Sequence, residues 1–149
     1  MMSRLNIPPF YLLISVIALF ILKYSIPGAV LFYPPFNYFG IVIVFLGLAL
    51  ILWHADYFKK HNTPIKPFEH STFLIKEGMY KYSRNPIYLG MGVILFGGAM
   101  ILGTFTPFIV VVVFILVIER AFIVKEEKFL EGIFGDEYLE YKKSVRRWI

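Results

Sequence analysis

No charged residue interrupts the chain from Asn85 to Ile118, a run of 34 residues. A bilayer core about 30 Å thick is crossed by about 20 apolar helical residues. The run is too long for one crossing and suits a hairpin of two. Gly103-Thr104-Phe105-Thr106-Pro107 supplies the turn between them. Lipid cannot satisfy backbone polar groups, so each arm has to be a helix that closes its own hydrogen bonds. The hairpin therefore spans roughly 86–102 and 107–124.

The rest of the chain follows the same logic. A first span is expected at about 8–22, where no charge falls between Arg4 and Lys23, and Pro8 and Pro9 suit a helix start. No small-x-small cleavage site follows it, so the segment reads as a retained span and not a cleaved signal. Pro27, Gly28, Pro34 and Pro35 mark a loop. A second span is expected at about 38–54, with Trp53 and Tyr57 as interfacial anchors. Gly40 and Gly47 share one face of it, which invites close approach by another helix. Gly90, Gly92, Gly97 and Gly98 in the third span carry the same signal. Thr63-Pro64 and Lys66-Pro67 break any helix before it. At 58% hydrophobic, the chain exceeds the apolar share of a soluble domain. The fold class is all-α: a single polytopic membrane domain over 1–149 with about four transmembrane helices and a C-terminal cytosolic or interfacial helical segment at 125–149.

The net charge of +5 is spread as a membrane requires, which argues against a nucleic-acid partner. Residues 56–84 carry six Lys/Arg against three acids, and residues 125–149 carry six against six. The basic segment and the tail should face the cytosol together, and the loop around Pro34 and the Thr104 turn should face outward. In the tail, Tyr138, Tyr141, Val145 and Trp148 recur at helical spacing among Lys142, Lys143, Arg146 and Arg147. That pattern reads as an amphipathic helix on the membrane surface.

Cysteine is absent, which removes disulfides, thiolate metal sites and a cysteine nucleophile. His54, His61 and His70 stand seven and nine residues apart, not at the spacing of a helical metal site, so no metal is expected and the histidines read as interfacial. No glycine-rich phosphate loop follows a strand. The polar stretch Glu77–Gly90, EGMYKYSRNPIYLG, stands out because polar groups at the lip of a membrane helix are costly unless used. Arg84 could clamp a lipid phosphate, or join the backbone N–H groups after Asn85-Pro86 in holding a carboxylate. Glu126 and Glu127 point about 100° apart on a helix, so one could face a pocket and the other water. They could equally form a solvated face.

Two motifs in order resolve the choice. Leu74-x3-Gly78-x-Tyr80-x-Tyr82-x-Arg84-Asn85-Pro86-x-Tyr88-Leu89-Gly90 is followed by Glu126-Glu127-x2-Leu130-x3-Phe134-Gly135-x2-Tyr138-x2-Tyr141-x3-Val145. Together they resemble the isoprenylcysteine carboxyl methyltransferase family and its phospholipid methyltransferase relatives. His61-Asn62-Thr63-Pro64 resembles the family's linker before the first motif. The resemblance implies an integral membrane methyltransferase that uses S-adenosylmethionine. It implies that Arg84, Asn85, Pro86 and Tyr88 hold the cofactor's carboxylate end, that Glu126 and Glu127 hold its amine or ribose, and that Tyr80 closes the pocket. Asn85 stands where the isoprenylcysteine enzymes have histidine, and asparagine cannot titrate.

Near membrane depth, Arg120 is the candidate for holding a substrate carboxylate, with Glu119 orienting it; for an amine acceptor Glu119 would be the base. The partners expected are membrane lipids and a lipid-like or prenylated acceptor entering between the third and fourth spans. A phospholipid amine, a small hydrophobic acceptor, or a non-catalytic scaffold of the same fold are the rival readings. The expected location is a prokaryotic inner or plasma membrane.

Overall fold

The computed structural model describes residues 7–60 and 74–149, the side chains of 57–60 excepted. His61, His70, the Thr63-Pro64 and Lys66-Pro67 breaks, the His61–Pro64 linker and the anchoring role of Tyr57 lie outside the described residues. Within them the chain is all-helical: α1 (Pro8–Ser25), α2 (Phe39–Lys60), α3 (Pro86–Leu102), α4 (Thr106–Ile118), α5 (Val124–Phe134) and α6 (Asp136–Ser144). Short 3-10 turns precede α2 at Phe36–Tyr38 and α3 at Gly78–Lys81.

Pro8, Pro86 and Pro107 each sit in a first helical turn, where their missing N–H leaves no bond unmade. α2 runs past the expected end near residue 54 to Lys60, since no breaker intervenes before Thr63-Pro64. The fourth span does not stop at 124. A π-turn, Glu119–Ile123, joins α4 to α5, so that 106–134 is one rod of 29 residues. Such a rod is about 43 Å long, longer than the hydrocarbon core, and its α5 end projects into the polar layer.

Three helical stretches are long and apolar enough to cross a membrane, and α3 is a shorter fourth. Leu13, Ile17 and Ile21 on α1, Phe45 and Leu46 on α2, and Val112, Val113 and Leu116 on α4 are all exposed. A soluble protein would not leave so continuous an apolar surface in water. The protein is a membrane protein whose outer faces belong to lipid.

The helix at the centre is α3, packed by α1, α2 and α4. Its Leu95 and Ala99 are fully buried, together with Phe114 and Ile118 of α4 and Leu19 of α1. Small residues decide how α2 meets α3. Gly40 lies opposite Gly97 and Gly47 opposite Gly90, an antiparallel register with two glycines on each helix. A Cβ added to Gly47 would sit 2.7 Å from the Gly90 carbonyl oxygen, and one on Gly97 2.6 Å from that of Gly40. The backbones therefore touch directly, as small residues permit in a bilayer.

At one end, the α1–α2 loop is sewn to the α3–α4 turn. Gly103 caps α3 with φ 72, a left-handed conformation that costs glycine little. Its carbonyl accepts the N–H groups of Leu31 and Phe32 at 2.8 and 3.1 Å. The Thr106 hydroxyl donates to the Ile26 carbonyl at 2.6 Å. At the other end, the tail docks on the basic segment. Gly135 (φ 52) turns the chain from α5 into α6. Tyr138 and Tyr141 are buried against Leu74, Tyr80, Leu130 and Phe134, and the Tyr141 hydroxyl donates to the Tyr80 carbonyl at 2.7 Å.

This corrects the sequence reading of the tail. The helix expected to carry Trp148 ends at Ser144, and Val145 is extended, with φ −125 and ψ 134. The tyrosine face that looked destined for lipid is covered by protein.

Two predictions follow from this packing. Gly47→Ala should destabilise the protein by about 1–3 kcal/mol through overpacking. Gly132→Ala, in open space on α5, should be neutral or stabilising; detergent melting curves of the two variants should separate clearly. The second concerns pH. Burial pushes the Tyr138 and Tyr141 phenols above their ordinary range, aided by Glu127 at Tyr138 and by Tyr138 at Tyr141. A raised folded value gives stability that is complete below the unfolded value of about 10 and is lost above it. Tail docking, followed by limited proteolysis, should therefore hold to about pH 10 and fail beyond it, and failure well below that pH would contradict the burial.

Candidate active site

The docked tail and the lip of α3 enclose a cluster of charges. Arg84 precedes the first turn of α3, and its side chain is only 8% exposed. Its Nη2 meets Glu127 Oε1 at 3.0 Å. Glu127, on α5, is also buried, and Arg147 grips it with two parallel bonds: Nε to Oε1 at 3.0 Å and Nη2 to Oε2 at 2.8 Å. This bidentate geometry is the strong form of an arginine–carboxylate pair. Arg147 Nη1 reaches on to Glu119 Oε1 at 2.6 Å, and the Trp148 indole N–H donates to Glu119 Oε2 at 2.9 Å. A chain of contacts thus runs Arg84, Glu127, Arg147, Glu119, Trp148. Two guanidinium groups and two carboxylates balance, which is the condition for keeping charge out of water.

The π-turn makes this possible. On an uninterrupted α-helix Glu119 would share a side with Glu126, seven residues on, and Glu127 would lie about 80° away. A π-turn inserts one extra residue, and Glu127 then comes beneath Glu119, where one arginine can span both. Glu126 turns instead to α3, where it accepts the Tyr88 hydroxyl at 3.0 Å. Neither carboxylate is left as a mere solvated face.

The tail backbone is fastened along the first motif. The Arg84 N–H donates to the Arg146 carbonyl at 3.0 Å, and Asn85 Nδ2 donates to the Arg147 carbonyl at 3.1 Å. The Ser83 hydroxyl caps the Asn85 N–H at 3.1 Å. Asn85, where related enzymes were expected to differ, therefore serves here as a clasp for the tail. Tyr80 stands at the edge of the cluster, its phenol raised well above the ordinary range by burial and by the charge of Glu126. Its ring meets His54 edge-on at 5.5 Å. His54, read as interfacial from its position, is buried within the protein, with Nδ1 2.6 Å from the Leu50 carbonyl.

Within this cluster two donors have no acceptor. Arg84 Nε and Nη1 are buried without a hydrogen-bond partner. Unsatisfied buried guanidinium donors are costly, and each could receive an oxygen of a ligand such as a carboxylate. Glu126, Glu127 and Tyr88 beside them suit a cation or hydroxyls. Next to the cluster an apolar groove of about 290 Å³ opens between α3 and α4, lined by Leu89, Gly92, Phe96, Val111, Ile115 and Trp148 among others.

The structure thus brings together Tyr80, Arg84, Asn85, Pro86, Tyr88, Glu119, Glu126 and Glu127. Arg120 is exposed, and its charge acts on Glu119 from there. It follows the groove residue Ile115 by five positions, about 140° round an α-helix. The cation hydrogen-bonded to Glu119 is Arg147, which adds to the charge of Arg120 beside that carboxylate. Arg147, Trp148, Ser83 and His54 were missed. Their long-range contacts carry no local sequence signature, although the paired basic residues before Trp148 were visible.

Residues 36–137, more than half of the chain, match the family model described as phospholipid methyltransferase. The chain is 39% identical over 112 residues to the protein-S-isoprenylcysteine O-methyltransferase of Saccharomyces cerevisiae, covering 71% of this chain and 45% of that protein. It is 37% identical over 75 residues to the protein of the same name from Schizosaccharomyces pombe, covering 48% and 30%. It is also 44% identical over 63 residues to an uncharacterized protein of Haemophilus influenzae, covering 42% of this chain and all of that one. The matches span less than half the length of the two yeast enzymes. With its helical membrane fold and the two motifs joined at one site, the chain belongs to the phospholipid methyltransferase family.

Proposed function

We propose that the chain transfers a methyl group from S-adenosylmethionine to a lipid-like acceptor, forming a carboxyl methyl ester as the names of the yeast relatives suggest. The observation that carries this reading is the two buried, unsatisfied donors of Arg84, Nε and Nη1, beside Glu126 and Glu127. An amino-acid zwitterion has the complementary charges: its carboxylate would take Arg84 Nη1, and its ammonium the carboxylates. The Tyr88 hydroxyl and Glu126 would then face the sugar, and Tyr80 the mouth of the pocket. When bound, the donor supplies a sulfonium whose methyl carbon is attacked by the acceptor oxygen as the carbon–sulfur bond breaks.

The chain's own residues have little proton chemistry to do. A carboxylate nucleophile needs no base, so the task is to align it and keep water out, and alignment alone can supply roughly 7–11 kcal/mol. The acceptor's hydrocarbon part would lie in the groove between α3 and α4. A headgroup there would meet Glu119 and Arg147 first. The exposed Arg120 would serve an acceptor headgroup only from the lipid side. By the charge pattern the site would face the cytosol.

In detergent, S-adenosylhomocysteine should bind in a calorimeter. Arg84→Lys, which keeps the charge but loses the fixed donors Nε and Nη1, should weaken it about tenfold or more, as loss of a charge-assisted bond implies. Glu127→Ala should weaken it too. No binding by the wild-type protein would favour a scaffold of the same fold. With labelled donor, a prenylcysteine analogue and phosphatidylethanolamine offered side by side should give an alkali-labile ester on the former. Alkali-stable product on the phospholipid would replace ester formation by amine methylation, with a phospholipid as the substrate that the family's description names.

A further inference from the structure

The residues after α6 do more than fill space. Arg147 and Trp148 sit on an extended strap whose backbone is held by Arg84, Asn85 and Ser83. The strap ends with an indole that has two surroundings. One edge of Trp148 lines the apolar groove beside Leu89, Gly92 and Ile115. The ring also packs on the buried core between α3 and α4. Its N–H, 2.9 Å from Glu119 Oε2, belongs to the charged cluster. An indole is suited to such a boundary, apolar in body and polar at one point. Glu119 cannot shift freely, because Arg147 holds its other oxygen at 2.6 Å and is itself anchored on Glu127. The ring is thus fixed at the junction of the groove and the charged site by two links that sequence spacing does not show.

We propose that Trp148 is the specificity-determining wall of the acceptor groove, and that Glu119 and Arg147 act through it as positioning residues. The assignment rests on the reading above that the acceptor's hydrocarbon part occupies this groove. Gly92 offers the groove no side chain, and the nearest atom to where its Cβ would stand is Ile115 Cγ1 at 4.0 Å; Trp148 is the largest side chain that lines the groove and the one lining residue that also bonds to the charged cluster. At about 290 Å³ the groove lies at the lower end of ligand pockets. It has room for a segment of one hydrocarbon chain against the indole. Trp148→Ala would widen it where it meets the charges, and Trp148→Phe would keep an aromatic wall but cut its link to Glu119.

The test measures methyl transfer to a series of single-chain carboxylate amphiphiles, from slender to branched, alongside S-adenosylhomocysteine affinity. Trp148→Ala should shift kcat/KM toward the bulkier chains by about tenfold, the scale of discrimination by one or two methylenes. Trp148→Phe and Glu119→Gln should raise acceptor KM severalfold. Donor affinity should stay within about twofold for both Trp148 variants, which a general loss of structure would not allow. An unchanged acceptor ranking in both Trp148 variants would overturn the proposal, as would donor affinity falling with acceptor KM unchanged.

A second readout stands apart from catalysis. The chain has two tryptophans, so Trp53→Phe leaves Trp148 as the sole indole. A bromoalkyl carboxylate should then quench it saturably, and Glu119→Gln should weaken that quenching. Quenching without any methyl transfer or donor binding would reject the enzymatic reading while upholding Trp148 as the groove wall. Absence of saturable quenching would reject the wall itself.

Discussion

A buried carboxylate governs this molecule. Glu127 sits at the lip of the bundle with two guanidinium groups on it, one from before α3 and one from after α6. A single ionised group in that place would be costly, and each partner removed would leave the others uncompensated. The pairing therefore does two jobs at once. It ties the ends of three separate segments together, and it holds a positive edge and several carboxylates in fixed positions beside a groove open to lipid. Structure and site depend on the same few bonds.

The membrane explains why this arrangement can be precise on so small a chain. Most of the outer surface is left to lipid, so the limited inward-facing surface is concentrated around α3. Glycines let α2 lie directly on that helix, and the long α4–α5 rod carries its acidic turn beyond the hydrocarbon core. The π-turn then adjusts the phase of the rod by one residue. Glu119 and Glu127 come to share a side, and Glu126 is free to meet Tyr88. One irregular turn thus lets Arg147 span Glu119 and Glu127 while Glu126 meets Tyr88.

Much of the framework was legible in the residues. The charge-free run, the Gly103 turn, the proline-marked helix starts and the paired glycines of α2 and α3 are local signals with direct physical meaning. So were Arg84 and the Glu126-Glu127 pair, because polar groups at a membrane lip are conspicuous. The tail was less legible. Tyr138, Tyr141, Val145 and Trp148 keep helical spacing, and periodicity alone cannot tell a face turned to lipid from one turned to protein. Leu74 and Tyr80, more than fifty residues away, decide that question by covering the tyrosines. His54 was equally ambiguous, since burial depends on what packs over it.

By itself, the sequence determined that this chain is a helical hairpin-based membrane protein with polar chemistry at the head of its third span. Hydrophobic length, turn residues and charge placement act locally and leave little choice. Only the tertiary structure decided which charges meet. Arg147 rather than Arg120 joins Glu119, Asn85 clasps the tail backbone, and Trp148 stands between the charges and the groove. Those outcomes depend on the π-turn's phase and on contacts across the length of the chain, where a shift of one residue redirects a side chain by about 100°.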